Sequence, residues 1–142
     1  MATFLVGRSA ARGRSRAALL VFGCVLAACS CKPAEPPKMT SIDLGTFVSD
    51  DKSVSSPSET FAASATIYAS IATEGAGAGM LKAQWVSADG QTLTEQTQQI
   101  NPTKPTHFEF HFAPPGGWPK GRHKIVFTLN DAGTRTREFE VR

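Results

Sequence analysis

The stretch that decides the fold is THFEFHFA, residues 106–113, in which aromatic and polar side chains alternate. The alternation places two sets of three side chains on opposite faces of an extended chain: Phe108, Phe110 and Phe112 on one, His107, Glu109 and His111 on the other. A period of two is typical of a β-strand with one buried and one solvated face. We therefore predict a strand whose phenylalanines belong to a hydrophobic core.

The same period recurs in TIYASIA (66–72), LKAQWV (81–86), HKIVFTL (123–129) and RTREFEVR (135–142). SIDLGTFVS (41–49) has a weaker strand pattern, and QTLTEQTQQI (91–100) continues as a polar strand after a turn. Asp89-Gly90 lies between two of them and predicts a tight hairpin turn. Seven short strands, with no helix pattern after residue 40, predict an all-β, seven-stranded antiparallel sandwich over residues 41–142.

One corner of this sandwich carries a family resemblance. PPGGWPKGRHKIVFTL, residues 114–129, resembles the turn before the penultimate strand in bacterial immunoglobulin-like lipoprotein domains. The resemblance implies an immunoglobulin-like or fibronectin type III-like fold, in which a tyrosine often pins this corner by a hydrogen bond. His123 stands in the tyrosine position, so a ring nitrogen would have to make that bond. Trp85 matches the tryptophan that such sandwiches commonly bury.

The first 28 residues have a different character. They contain four arginines and no acidic residue, and they end in the apolar run AALLVFGCVLAA, residues 17–28. Twelve apolar residues are too few to span a bilayer, which needs about 20. A basic start, a short contiguous apolar run and small residues at its end predict a signal-peptide helix over residues 1–28.

The end of this leader, Leu26-Ala27-Ala28-Cys29, resembles the lipobox of bacterial lipoproteins. The resemblance implies cleavage before Cys29, a diacylglyceryl group on its thiol and an acyl chain such as palmitate on its new amine. Residues 29–40 would then be a lipidated cysteine and a disordered, proline-rich linker. Ser30 at the next position is compatible with the outer membrane, facing the periplasm. The alternative is ordinary cleavage after Ala28 and a secreted, soluble protein.

Charge and cysteine content narrow the classes of partner. Without the leader, 11 basic and 12 acidic residues remain, so the domain is nearly neutral. We therefore expect no nucleic acid partner, since such partners select basic surfaces. Cys31 is the one cysteine left after processing and lipidation, so the domain has no internal disulfide.

No residue pattern predicts catalysis, a metal or a cofactor. His107 and His111 share a strand face with Glu109, but they are about 13 Å apart on an extended strand, too far to share one ion. EGAGAGM, residues 74–80, lacks the lysine of a phosphate-binding loop and predicts a flexible connection. We expect a non-enzyme whose only prosthetic groups are the covalent lipids on Cys29.

Two binding functions fit these features. The first is an interaction module that is tethered to the membrane and holds an unidentified envelope protein. The second is an immunoglobulin-like peptidase inhibitor, because NPTKPT, residues 101–106, resembles the Asn-Pro-Thr loop of such inhibitors. In that case Asn101, Pro102 and Thr103 would bind the peptidase, with Trp118 lining a loop end. A tryptophan packed beside Pro119 is the competing interpretation of Trp118.

Overall fold

A computed structural model describes residues 32–131 and 133–142. Every regular element in these ranges is a strand. A helix that is long and apolar enough to cross a membrane is not found in them. The strands are β1 (Lys38–Gly45), β2 (Thr60–Phe61), β3 (Ile67–Glu74), β4 (Gly79–Val86), β5 (Thr92–Ile100), β6 (Thr106–Phe112), β7 (Gly121–Leu129) and β8 (Gly133–Val141). The all-β prediction is confirmed for this part of the chain.

The strands form two sheets. One has three strands in the order β1-β3-β6, and the other has five in the order β2-β8-β7-β4-β5. With β2 set aside, the first, second and fifth strands share one sheet and the third, fourth, sixth and seventh share the other. This division is that of an immunoglobulin-like β-sandwich except for the fourth strand, β5, which constant-type domains place in the first sheet.

The strand count and the purely antiparallel arrangement need correction. The described chain has eight strands, and the additional one, β2, pairs in parallel with β8 through Thr60 and Phe61. Two residues are too few to display an alternating pattern, so the sequence carries no readable signal for this strand. β2 covers the outer edge of β8 and thereby shields part of that edge from other chains.

The buried faces follow the predicted alternation. The side chains without solvent exposure lie on β3, β4 and β7: Ile67, Ala69, Ile71, Leu81, Ala83, Trp85, Ile125 and Phe127. Phe110 of β6 is 6% exposed, and its neighbours Phe108 and Phe112 are half-buried against the same core. The deciding stretch therefore contributes one central and two flanking phenylalanines to the core.

The corner before β7 is pinned by a histidine. His123 is 1% exposed, and its Nε2–H donates a hydrogen bond of 2.6 Å to the Pro119 carbonyl oxygen. The ring stacks on Phe139, with centroids 5.5 Å apart. This bond returns to the backbone four residues upstream, as the tyrosine bond does in immunoglobulin-like sandwiches. The imidazole thus takes over the role that the resemblance implies for tyrosine.

The domain starts earlier than residue 41. β1 begins at Lys38, and the Glu35 carbonyl accepts a hydrogen bond of 2.8 Å from the Ala76 N–H. Gly75 has φ of 90°, and a Cβ there would lie 2.7 Å from the Glu35 oxygen, so glycine permits this close approach. Residues 35–40 therefore contact the body of the domain, whereas the predicted linker extended to residue 40. Proline has no backbone N–H, but its segment still presents carbonyl acceptors, and one of these binds the Ala76 N–H.

Candidate functional site

The predicted lipidation site lies outside the described residues. Leu26, Ala27, Ala28 and Cys29, together with Cys31, precede residue 32. Their assignment as a lipobox stays a prediction. The structure does show where the chain emerging from them enters the domain. That point lies beside the loop at residues 75–78, which contacts the loop at 101–105 through the Gly77 N–H and the Pro102 carbonyl, 3.0 Å apart. We call this the anchor-side end.

The residues of the predicted inhibitory loop are divided between the two ends of the sandwich. Asn101 and Thr103 are exposed in the loop between β5 and β6, at the anchor-side end. Trp118 precedes the first residue of β7, at the far end, where β7 pairs with the last residue of β8. The fold does not bring these residues together into one surface.

Trp118 belongs to the core. Its indole is 3% exposed, and the Nε1–H donates a hydrogen bond of 2.9 Å to the Ala65 carbonyl. Its ring centroid lies 5.3 Å from that of Phe139 and 5.7 Å from that of Trp85. Burying so large an apolar ring is strongly favourable, which explains why it packs inward instead of lining a loop. Trp118 is therefore not available to a partner at the surface.

The His107, Glu109 and His111 face points outward, as predicted. Glu109 is only 15% exposed, because its carboxylate lies 2.7 Å from His111 Nδ1 and 3.3 Å from Lys52 Nζ. The Tyr68 ring tilts over His111 at 5.1 Å. We call Lys52, Tyr68, Glu109 and His111 the outer-face cluster. Within the described ranges, no three His, Cys, Asp or Glu side chains are grouped to hold a metal ion.

A small hairpin that the sequence does not predict supplies the lysine. Residues 48–54 fold back through a Val48–Val54 bridge, and the Ser49 N–H donates to the Ser53 carbonyl at 2.8 Å. The Ser53 hydroxyl and N–H donate to the Asp51 carboxylate, and the hydroxyl bond is the main reason that the pKa of Asp51 is lowered. Because this serine-rich segment shows no hydrophobic period, no sequence pattern indicates the hairpin.

Two strand edges meet on one side of the sandwich, which we call the open side. β6 ends the three-stranded sheet there, and β5 ends the five-stranded sheet. Gln96 of β5 connects them, since its Nε2 donates to the His111 carbonyl at 3.0 Å. Its Oε1 accepts a hydrogen bond of 3.2 Å from the Trp85 indole. One amide side chain therefore links the core tryptophan to the edge of β6.

The edges on the other side are shielded differently. Natural proteins commonly protect edge strands with lysine, proline, bulges or very short strands. β1 has Lys38 and an irregular register between Met39 and Ser41, and β2 has only two residues. β6 contains no lysine or proline and pairs regularly with β3 throughout. β5 also lacks both residue types, and its one irregularity lies near its first residues, opposite Trp85 and Val86. The open side is thus the less protected one.

Comparison with known proteins yields similarity of fold. The chain matches no protein-family model and no curated protein. Among solved structures, it is similar to the Pseudomonas fluorescens alkylpurine DNA glycosylase AlkC bound to DNA containing an abasic site analog. That match has a TM-score of 0.51 and 12% identity, and covers 75% of this chain and 30% of that one.

Two further solved structures cover most of their own chains. An immunoglobulin-like protein from Pseudomonas aeruginosa has a TM-score of 0.48 and 15% identity, over 76% of this chain and 98% of that one. The CARDB domain of a Pyrococcus furiosus protein, in complex with di-metal ions, has a TM-score of 0.47 and 10% identity, over 76% and 90%. Identities this low show no shared activity. Because the chain spans only 30% of the glycosylase, that match bears on the sandwich fold alone.

Proposed function

We propose that this chain is a lipid-anchored, non-catalytic binding module of the bacterial envelope, which holds another envelope protein near the membrane. The observation that carries the proposal is the open side, where two neighbouring strand edges lack the usual protection. Strand edges present unpaired main-chain N–H and C=O groups, and such groups bind extended segments of partner proteins. The near neutrality of the domain agrees with a protein partner.

The anchor is supported by the resemblance of Leu26-Ala27-Ala28-Cys29 to a lipobox. A single acyl chain binds membranes only marginally, whereas two or three chains on one cysteine hold a protein stably. Glu35 is already bound to the domain, and it lies six positions after the lipidated Cys29. An extended chain of that length spans about 19 Å. The anchor-side end would therefore lie close to the bilayer, and Ser30 is compatible with the periplasmic face of the outer membrane.

This placement favours the module over the peptidase inhibitor. Asn101 and Thr103 lie at the anchor-side end, where a membrane within about 19 Å would obstruct a bound peptidase. β6 instead runs from Thr106 at that end to Phe112 at the far end, a length of about 20 Å. Its edge would therefore stay accessible to a protein in the periplasm.

Mass spectrometry of the mature N-terminus tests the anchor. We expect an N-terminal Cys29 carrying a diacylglyceryl group and an N-acyl chain, in the detergent phase after Triton X-114 partition. The Cys29→Ser variant is the control, because it lacks the thiol that the lipid requires, and it should remain unprocessed. Cys29 with a free thiol and a free amine, in a water-soluble product, would contradict lipid anchoring.

Proximity labelling tests the binding function. A labelling enzyme fused after Arg142 should enrich the same envelope protein in repeated experiments. The matched control is the same leader and labelling enzyme without residues 35–142, which keeps the anchor and removes the whole sandwich. Equal enrichment by both proteins would show that the sandwich binds no envelope partner, and the proposal would fail.

A further inference from the structure

The three-stranded sheet has a vacant strand position next to β6. Constant-type immunoglobulin domains place a fourth strand there, so that the sheet reads A-B-E-D. In this chain the corresponding strand, β5, pairs with β4 in the opposite sheet. The loop at 101–105 then leads directly into β6. β5 flanks the vacant position, because its Gln96 side chain reaches the main chain of β6.

Alternate residues of β6 point their main-chain groups into this position. Gln96 reaches the His111 carbonyl, so this carbonyl faces away from β3. In a strand the N–H and C=O of one residue lie on the same side, and successive residues alternate. His107, Glu109 and His111 therefore direct N–H and C=O groups towards the vacant position. One of these groups, the His111 carbonyl, already accepts a hydrogen bond from Gln96.

The side chains around the vacant position differ between its two faces. Phe108 and Phe112 are half-buried on the inner face, so part of each ring remains uncovered by the core. On the outer face the carboxylate of Glu109 is already paired with Lys52 and His111. A strand that fits here needs apolar side chains towards the phenylalanines and uncharged polar side chains towards the outer-face cluster.

We infer that an extended segment of another protein adds to β6 at this position as a fourth strand of the sheet. The segment alternates apolar and uncharged polar residues, and it displaces Gln96 from the His111 carbonyl. A second copy of this chain fits less well, because antiparallel pairing of two β6 strands over their full length places two Glu109 carboxylates opposite each other. Like charges in directly opposite positions destabilise a strand pair.

Hydrogen exchange with peptides tests this inference, which rests on the proposed binding function. The full chain, extracted in detergent, is mixed with a pool of capped nonapeptides that alternate Val or Ile with Thr or Ser. We expect slower exchange of the amides of His107, Glu109 and His111. The control pool has the same side chains but N-methyl groups on every amide, so that neither edge of these peptides can pair. Absence of protection, or equal protection by both pools, would overturn the inference.

A proline variant gives a second, independent measurement. Glu109→Pro removes an N–H that points away from β3, so the β3–β6 ladder keeps its bonds, as for prolines on natural edge strands. We expect at least a tenfold weaker peptide affinity, which corresponds to about 1.4 kcal/mol for one lost hydrogen bond and a steric block. Thermal melting checks that the variant folds. Unchanged affinity in a folded variant would overturn the inference, and the N-methyl comparison decides the question if the variant does not fold.

Two outcomes separate this inference from the function on which it rests. If proximity labelling finds the same envelope protein with the native chain and with Glu109→Pro, the binding function stands and the β6 edge is not its site. If peptide-free protein forms dimers that protect the amides of His107, Glu109 and His111, the occupant is a second copy and a foreign strand is ruled out.

Discussion

Truncation of Phe110 gives the sharpest test of the strand assignment. Phe110 is 6% exposed and its ring centroid lies 5.6 Å from that of Phe127, in the middle of the core. Phe110→Ala removes the ring and leaves a cavity that the rigid sandwich fills only partly. Such truncations lower the free energy of unfolding by about 3–5 kcal/mol. For a domain of this size, the melting temperature should fall by roughly 12–20 °C.

Phe47→Ala is the matched control, because it makes the same chemical change at a side chain that is 69% exposed. We expect its free energy of unfolding to stay within about 0.5 kcal/mol of the native value. Urea denaturation followed by tryptophan fluorescence measures both variants against the native chain. A loss below about 1 kcal/mol for Phe110→Ala, or equal losses at both positions, would mean that the register of β6 is wrong.

Three further predictions concern the N-terminal segment, the hairpin and the corner. Gly75→Ala should lower the free energy of unfolding by about 1–3 kcal/mol, because a Cβ at φ of 90° meets the Glu35 carbonyl. Trypsin should then cleave faster at Lys38, and an unchanged cleavage rate would contradict the docking of residues 35–40 on the domain. The pKa of folded Asp51 is lowered below 3.8 by its Ser53 hydrogen bonds, so its stabilising contribution is present above that pH and is lost as the pH falls through the folded pKa. Amide exchange in residues 48–54 should therefore rise below about pH 4 after correction for intrinsic rates, and Asp51→Asn should remove this pH-dependent step. His123→Ala should cost about 2–4 kcal/mol through the lost ring and the unpaired Pro119 carbonyl, and an unchanged urea midpoint would refute the histidine corner.

Six of the eight strands could be predicted because alternate side chains of each contact the core, whereas β5 is mostly exposed and is predicted from the turn that precedes it. In such strands burial imposes a period of two on the sequence, as in Phe108, Phe110 and Phe112. The hairpin at Asp89-Gly90 was predictable for a local reason. Gly90 has φ of 90°, and the Ser87 N–H donates to the Gln91 carbonyl across the turn at 2.8 Å. These features depend on residues that are neighbours in the chain.

The parts that escaped prediction depend on contacts between distant residues. β2 exists because Thr60 and Phe61 meet the end of β8, about 80 residues later in the chain. Lys52 pairs with Glu109, which lies 57 residues later in the chain, and no periodic pattern marks either residue as a partner. Trp118 could be interpreted as a loop residue or a core residue, and only its neighbours Phe139 and Trp85 decide for the core.

The amino-acid sequence by itself determines that the chain forms strands, where the turns lie and which strand faces are apolar. These features depend on only two to ten neighbouring residues. It also carries the lipobox resemblance at Cys29, whose test is chemical and independent of the fold. The tertiary structure alone determined that β6 pairs with β3 and not with β5, which leaves the outer edge of β6 free beside β5. Which strand pairs with a given edge depends on contacts between segments that are far apart in the chain. The alternation of residues within one strand does not indicate which segment will pair with it.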